Sequence, residues 1–130
     1  GEPSALGDVP DNVQIERFVA QSAVLPLVDV IVHHGGTGTV LGALEAGLPQ
    51  LVLPQGADQF INAEILAAGG IGRALPNDAQ QPGAIGAAVQ ALLGDSPERQ
   101  AAGRMRDEIA AMPSPSDVVP ALVELAKRAD

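Results

Sequence analysis

At 130 residues the chain suits one domain, and 46% hydrophobic residues make it a globular sequence rather than a disordered one. A net charge of −9 argues against nucleic acid, whose binding depends on neutralising phosphates, and equally against anionic membrane surfaces. No apolar run approaches the roughly 20 residues of a spanning helix, residues 1–4 lack the marks of a signal peptide, and the absence of cysteine fits a cytoplasmic protein.

Aromatic content is 2%, so Ala, Leu, Val and Ile must do the packing. Residues 1–12 form a Gly/Pro/Asp-rich entry loop. Residues 13–18 alternate as a short strand would, with Val13, Ile15 and Arg17 on one face. A turn or brief helix follows through Leu27. Residues 28–34 (VDVIVHH) are β-branched and nearly all apolar, the pattern of a strand buried on both faces.

Gly35-Gly36-Thr37-Gly38-Thr39 breaks that strand and opens a helix with Val40, Leu41 and Leu44 as its expected buried stripe, ended by Gly47 and Pro49. Residues 50–54 (QLVLP) predict the next strand. The loop at 55–58 leads into a helix with Ile61, Ile65 and Leu66 on one face, closed by Gly69-Gly70. Residues 71–75 can supply a last strand. After Pro82 the pattern is helical, through Ile85, Val89 and Leu92. Ser96-Pro97-Glu98 starts a further helix that turns Met105, Ile109 and Met112 inward and stops at Pro113. Ser114 and Asp117 have capping-box spacing, and either Val118, Leu122 and Leu125 or Val119, Val123 and Ala126 line the last helix. Strands alternating with helices predict an α/β fold with a Rossmann-like parallel sheet.

The chemistry concentrates at residues 32–39. A buried strand ends, glycines follow and a helix begins, so unpaired backbone N–H groups converge at the positive end of a helix dipole. In open α/β sheets ligands bind at this edge. Thr37 and Thr39 could add hydroxyl donors. Gly36-Thr37-Gly38 begins like G-x-G-x-x-G, but position 41 is Leu, and no P-loop lysine follows. A glycine turn that merely packs strand onto helix is the plain alternative. His33 and His34 are neighbours on a strand and point to opposite faces, so they are not expected to share one metal. No Cys, Asp or Glu has the spacing to complete a zinc site, and no metal or cofactor is expected. His34 is the better phosphate donor and His33 the one expected to pack. At the end of the next strand Asp58 and Gln59 approach the same edge, where a carboxylate beside an amide suits sugar hydroxyls. Asp58 could equally be only the N-cap of the helix near Phe60.

Phe18-Val19-Ala20-Gln21, residues 33–39, Gly47-Leu48-Pro49-Gln50 and residues 54–59 together resemble family 1 glycosyltransferases of the GT-B fold, nearest to bacterial enzymes that glycosylate antibiotics and related natural products. The resemblance runs from about residue 9 to the C-terminus. It implies the C-terminal, donor-binding half of a GT-B fold, truncated on its N-terminal side. It puts Phe18 at the base-stacking position, Val19 at a backbone contact to the base and Gln21 at the signature glutamine. It also implies that His34, with Gly35, Gly36, Thr37, Gly38 and Thr39, meets the donor diphosphate while Asp58 and Gln59 hold the sugar. The glutamate that holds ribose hydroxyls in UDP-sugar users falls at Gly42, which favours a dTDP-deoxysugar. The family's catalytic base lies in an N-terminal domain that also takes the small-molecule acceptor, and nothing here matches it. The expectation is therefore the donor half of an inverting transferase, inactive alone, whose uncovered sheet edge and last helix promote self-association. Alternatives are a UDP-sugar transferase, a nucleotide-sugar epimerase, a non-catalytic nucleotide-sugar-binding module, or an α/β domain without a ligand.

Overall fold

The computed structural model describes residue 7 and residues 9–128. Three short strands, β1 (Ile31–His33), β2 (Gln50–Val52) and β3 (Gly72–Ala74), form one parallel sheet in the order β1-β2-β3, with Ile31 opposite Gln50 and Leu51 opposite Arg73. The helices are α1 (Gln21–Val24), α2 (Thr37–Glu45), α3 (Gln59–Ala68), α4 (Pro82–Leu92), α5 (Pro97–Ala110) and α6 (Pro115–Lys127). Parallel neighbours require crossover helices, and α2 and α3 supply them.

Strand alternation divides the core between the two faces of the sheet. Val52 packs with Val40 of α2, Ala63 and Leu66 of α3, and Ala102 of α5. Leu51 faces the other way, onto Ala88 and Leu92 of α4. A third cluster joins Leu25, Ala43 and Leu48 beneath α2, so the segment after α1 is anchored on the same helix that begins at the glycine turn. Arg99 of α5 donates to the Asp29 carbonyl at 2.7 Å and fixes the approach to β1.

The strands are shorter than the sequence predicts, and the strand expected at 13–18 is absent. That segment is irregular, and Phe18 is 86% exposed. Alternating residues make a strand only where a neighbour accepts their backbone hydrogen bonds, and among the described residues the sheet ends at β1. Three helix stripes also differ. Leu41, Ile61, Ile65 and Met112 are all exposed, while Ala43, Ala63 and Ala102 are buried. Alanine brings the helix backbones close to the sheet, and the contact then runs through these small residues together with Val40 and Leu66, the members of the expected stripes that are buried.

Helix boundaries follow the capping chemistry. The Ser96 hydroxyl accepts from the Arg99 N–H, and Ser114 and Asp117 form a reciprocal capping box. No residue of α6 is buried, and Val119, Leu122 and Leu125 are each more than half exposed. No helix is long and apolar enough to cross a membrane among the described residues.

Candidate nucleotide-sugar site

The turn between β1 and α2 is held by His33. Its Nδ1 accepts from the Gly35 N–H at 2.9 Å, which leaves the proton on Nε2 to be donated to Gln50 Oε1 at 2.8 Å. Gln50 is fully buried, and its amide points to the Val40 carbonyl at 3.5 Å. Turn, β2 and α2 are thereby linked through one neutral imidazole. Burial holds the His33 pKa below its ordinary 6.5, against the raising effect of the Gln50 hydrogen bond, with the neighbouring His34 lowering it further.

Gly35 is buried with φ +98°, and a Cβ there would lie 2.8 Å from Val52 Cγ1 and 3.1 Å from the Gln59 carbonyl oxygen. Only glycine satisfies both the left-handed backbone and that approach. Gly36 has a different reason. Its missing Cβ leaves room for the imidazole of His34, whose Nε2 is 2.6 Å from where that carbon would be. Gly36, which the sequence places among the residues expected to meet the donor diphosphate, thus also makes room for the ring of His34. The ring of His34, an exposed residue, therefore sits beside the N-cap of α2.

Gly36 is the N-cap of α2 and supplies no side-chain cap. The N–H groups of Thr39 and Val40 return to the Gly36 carbonyl, whereas those of Thr37 and Gly38 have no intrahelical acceptor. Beside them lies a cavity of about 410 Å³ between α1 and α2, with Gln21, Ser22, Leu25, Gly38, Gly42 and Glu45 in its wall. A Cβ added to Gly38 would meet nothing within 4 Å. No protein atom needs that residue to be glycine, although glycine costs a helix about 0.5–1 kcal/mol relative to alanine.

The second cluster faces the turn from α3. Asp58 is the N-cap of α3 but makes no capping bond. Its Oδ2 accepts instead from Thr37 Oγ1 at 3.1 Å and from Asn62 Nδ2 at 3.5 Å. Asn62 also donates to the Gly35 carbonyl at 2.9 Å. Gln59 turns back on its own loop, where its Oε1 accepts the N–H groups of Gln55 and Gly56. These bonds hold a loop whose Ala57 has φ 54°, a left-handed conformation rare outside glycine.

Of the residues singled out in the sequence, Gln21 and Gly38 share the cavity wall. His34, Gly35, Gly36, Thr37 and Thr39 build the turn and the helix start, and Thr37 meets Asp58. Phe18 and Val19 are exposed and do not line the cavity. Ser22, Glu45 and Asn62 were not singled out in the sequence, and Gln50, there only the end of the Gly47-Leu48-Pro49-Gln50 motif, was given no role at the turn. Asn62 lies one turn after Asp58 on α3, and that i, i+4 spacing was the available signal.

Relatives of this chain are known. It is 43% identical over 117 residues to an L-demethylnoviosyl transferase of Streptomyces niveus, covering 90% of this chain and 31% of that protein. Among solved structures, the glycosyltransferase VinC in complex with dTDP superposes with a TM-score of 0.87 at 34% identity, over 95% of this chain and 31% of VinC. The spinosyn rhamnosyltransferase SpnG complexed with thymidine diphosphate gives 0.83 at 39% identity, over 92% of this chain and 33% of SpnG. These neighbours are GT-B glycosyltransferases, and the chain spans less than a third of the length of the curated relatives it matches. Residues 1–125 match the EryCIII-like family, described as the erythromycin biosynthesis protein CIII-like C-terminal domain, and the chain belongs to it.

Proposed function

We propose that this chain is the donor-binding domain of an inverting glycosyltransferase that moves a deoxysugar from dTDP to a small-molecule natural product. The observation that carries this is the unsatisfied start of α2 beside the cavity. Two orphan N–H groups and the positive helix end adjoin about 410 Å³ of space that Gly38 helps to line. The diphosphate lies at the helix start, under His34, with the nucleoside in the cavity and the sugar toward Asp58 and Gln59. Two structural neighbours whose names include dTDP or thymidine diphosphate support the choice of nucleotide.

In the reaction the acceptor hydroxyl oxygen attacks the anomeric carbon. The bond from that carbon to the β-phosphate oxygen breaks, and dTDP leaves with the bonding pair. The acceptor's proton passes to a base, which the family resemblance assigns to a separate N-terminal domain. This chain's share is to stabilise charge on the departing diphosphate through helix N–H groups and His34. That work needs no metal, so chelation by EDTA should leave nucleotide affinity unchanged. The reading places the enzyme in the cytoplasm, where nucleotide sugars are made and consumed.

Calorimetric titration with dTDP and UDP tests the proposal. dTDP should bind more tightly. Equal or reversed affinities remove the dTDP assignment, and failure of both to bind removes the nucleotide reading.

A further inference from the structure

β2 and β3 end alike, each followed by a leucine and a proline: Leu53-Pro54 and Leu75-Pro76. Val52 lies opposite Ala74, and the Leu75 N–H donates to the Val52 carbonyl at 3.0 Å. Carried one step further, this parallel register would give the Leu75 carbonyl to the N–H of residue 54 and the Pro54 carbonyl to the N–H of residue 77. Pro54 has no N–H to give. Beyond Pro76 the chain leaves the sheet for a 3₁₀ turn (Asn77–Ala79). The ladder therefore abandons two carbonyls at the sheet end, one of them on a buried proline.

Gln80 serves both. Its Nε2 donates to the Leu75 carbonyl at 3.1 Å and to the Pro54 carbonyl at 3.2 Å, with Asn77 Oδ1 at 3.3 Å. Its Oε1 accepts from Gln55 Nε2 at 2.8 Å, and that nitrogen also reaches the Leu53 carbonyl at 3.1 Å. One half-buried amide thus replaces the missing ladder bonds and grips the first two residues of the loop that leads to α3. The next residues of that loop are the ones that matter for the sugar. The Gln55 and Gly56 N–H groups hold Gln59 Oε1, and Asp58 follows Ala57. Ala57 has φ 54°, a conformation that persists only where its surroundings impose it.

We propose that Gln80 is a positioning residue for the donor's sugar, acting through the loop that presents Asp58 and Gln59. The inference rests on the donor reading above and deepens it. The two halves of the donor are supported by separate networks. His33 and Gln50 hold the glycine turn on the diphosphate side, and Gln80 with Gln55 holds the sugar side.

Calorimetry on the 130-residue chain with dTDP-glucose and with dTDP tests this. Gln80→Leu keeps the volume and removes every polar partner. It should weaken dTDP-glucose by about fivefold to tenfold, while dTDP keeps its affinity within about twofold. A residue that only stabilised the fold would lower the melting temperature and leave both titrations, run well below melting, unchanged. Because both changes act on the sugar through one loop, Gln80→Leu combined with Asp58→Ala should lose less than the sum of the two. If Gln80→Leu does not fold, Gln55→Ala decides instead. That side chain is exposed, and its loss should weaken dTDP-glucose about threefold and spare dTDP. In the deciding variant, an unchanged dTDP-glucose affinity, equal losses for the two ligands, or a loss fully additive with that of Asp58→Ala overturns this inference and leaves the proposed function standing. Absence of nucleotide binding by the wild type overturns both.

Discussion

Thr37 and Asp58, from the starts of two successive helices, are joined by a 3.1 Å hydrogen bond from hydroxyl to carboxylate. The bond crosses the gap between turn and loop that the proposed donor must enter. It also uses the Thr37 hydroxyl, which the sequence pattern offered as a phosphate donor. In the proposed complex the carboxylate turns to sugar hydroxyls. Asp58→Ala should therefore weaken a dTDP-sugar about tenfold, the loss of one charge-assisted hydrogen bond, while dTDP itself keeps its affinity within about twofold. Calorimetry with both ligands checks this. An equal loss for the two would place Asp58 on the nucleotide side.

The two histidines should separate cleanly. His34→Ala should raise the Kd for dTDP by an amount worth about 1–3 kcal/mol and leave the melting temperature nearly unchanged. His33→Ala removes the acceptor of the Gly35 N–H and the donor to buried Gln50, so its effect should fall on thermal stability. Effects exchanged between the two would mean that the faces of β1 are misassigned.

His33 also gives stability a pH dependence. Its folded pKa is depressed below 6.5, so the unfolded chain binds a proton more readily than the native one. Stability from this residue is complete above the unfolded value and declines as pH falls below about 6.5. Protonation would moreover put a hydrogen on Nδ1, where the Gly35 N–H already donates. Melting temperatures from pH 7.5 down to 5 should drop in the wild type and flatten in His33→Gln. A slope identical in both proteins would assign the effect to other groups.

Gly38 offers a test in which stability and binding move in opposite directions. An alanine Cβ there touches no protein atom and improves helix propensity, so Gly38→Ala should gain up to about 1 kcal/mol of stability. The same methyl projects into the cavity beside the helix start, and dTDP affinity should fall. Urea denaturation and calorimetry on one variant measure both. Unimpaired binding would remove the nucleoside from this cavity.

Local signals were the legible part of the fold. Ser96, the Ser114–Asp117 box and the Gly47-to-Pro49 stop each act through bonds within a few residues, and each sits where the sequence puts it. The glycine turn was legible for the same reason. The segment at 13–18 was not, because strand formation depends on a neighbour that alternation cannot reveal. The stripes through Leu41, Ile61 and Ile65 misled because size was taken as the mark of burial, whereas Ala43 and Ala63 make the close contacts. At the site, Gln50 and Asn62 lie far in sequence from the backbone groups that they serve. Only tertiary structure brings them to Val40 and Gly35.

The last prediction concerns what the chain does alone. Of the ionisable groups near the turn, His33 is engaged with Gly35 and Gln50, and His34 and Asp58 lie on the proposed donor side, while transfer needs a base within about 3 Å of the acceptor hydroxyl. Incubated with a dTDP-sugar and an acceptor, the 130-residue chain should show no acceptor-dependent turnover. The surface of the described residues supports a companion expectation. Val119, Leu122 and Leu125 leave α6 apolar and uncovered, and Val32 on edge strand β1 is 43% exposed. Surfaces of this kind associate in water. Sedimentation should show mass rising with concentration, and Leu122→Glu with Leu125→Lys should reduce that rise without lowering the melting temperature, since neither side chain is buried. A monomeric chain with sustained acceptor-dependent turnover would contradict both statements, and with them the reading that this domain is one half of an active site.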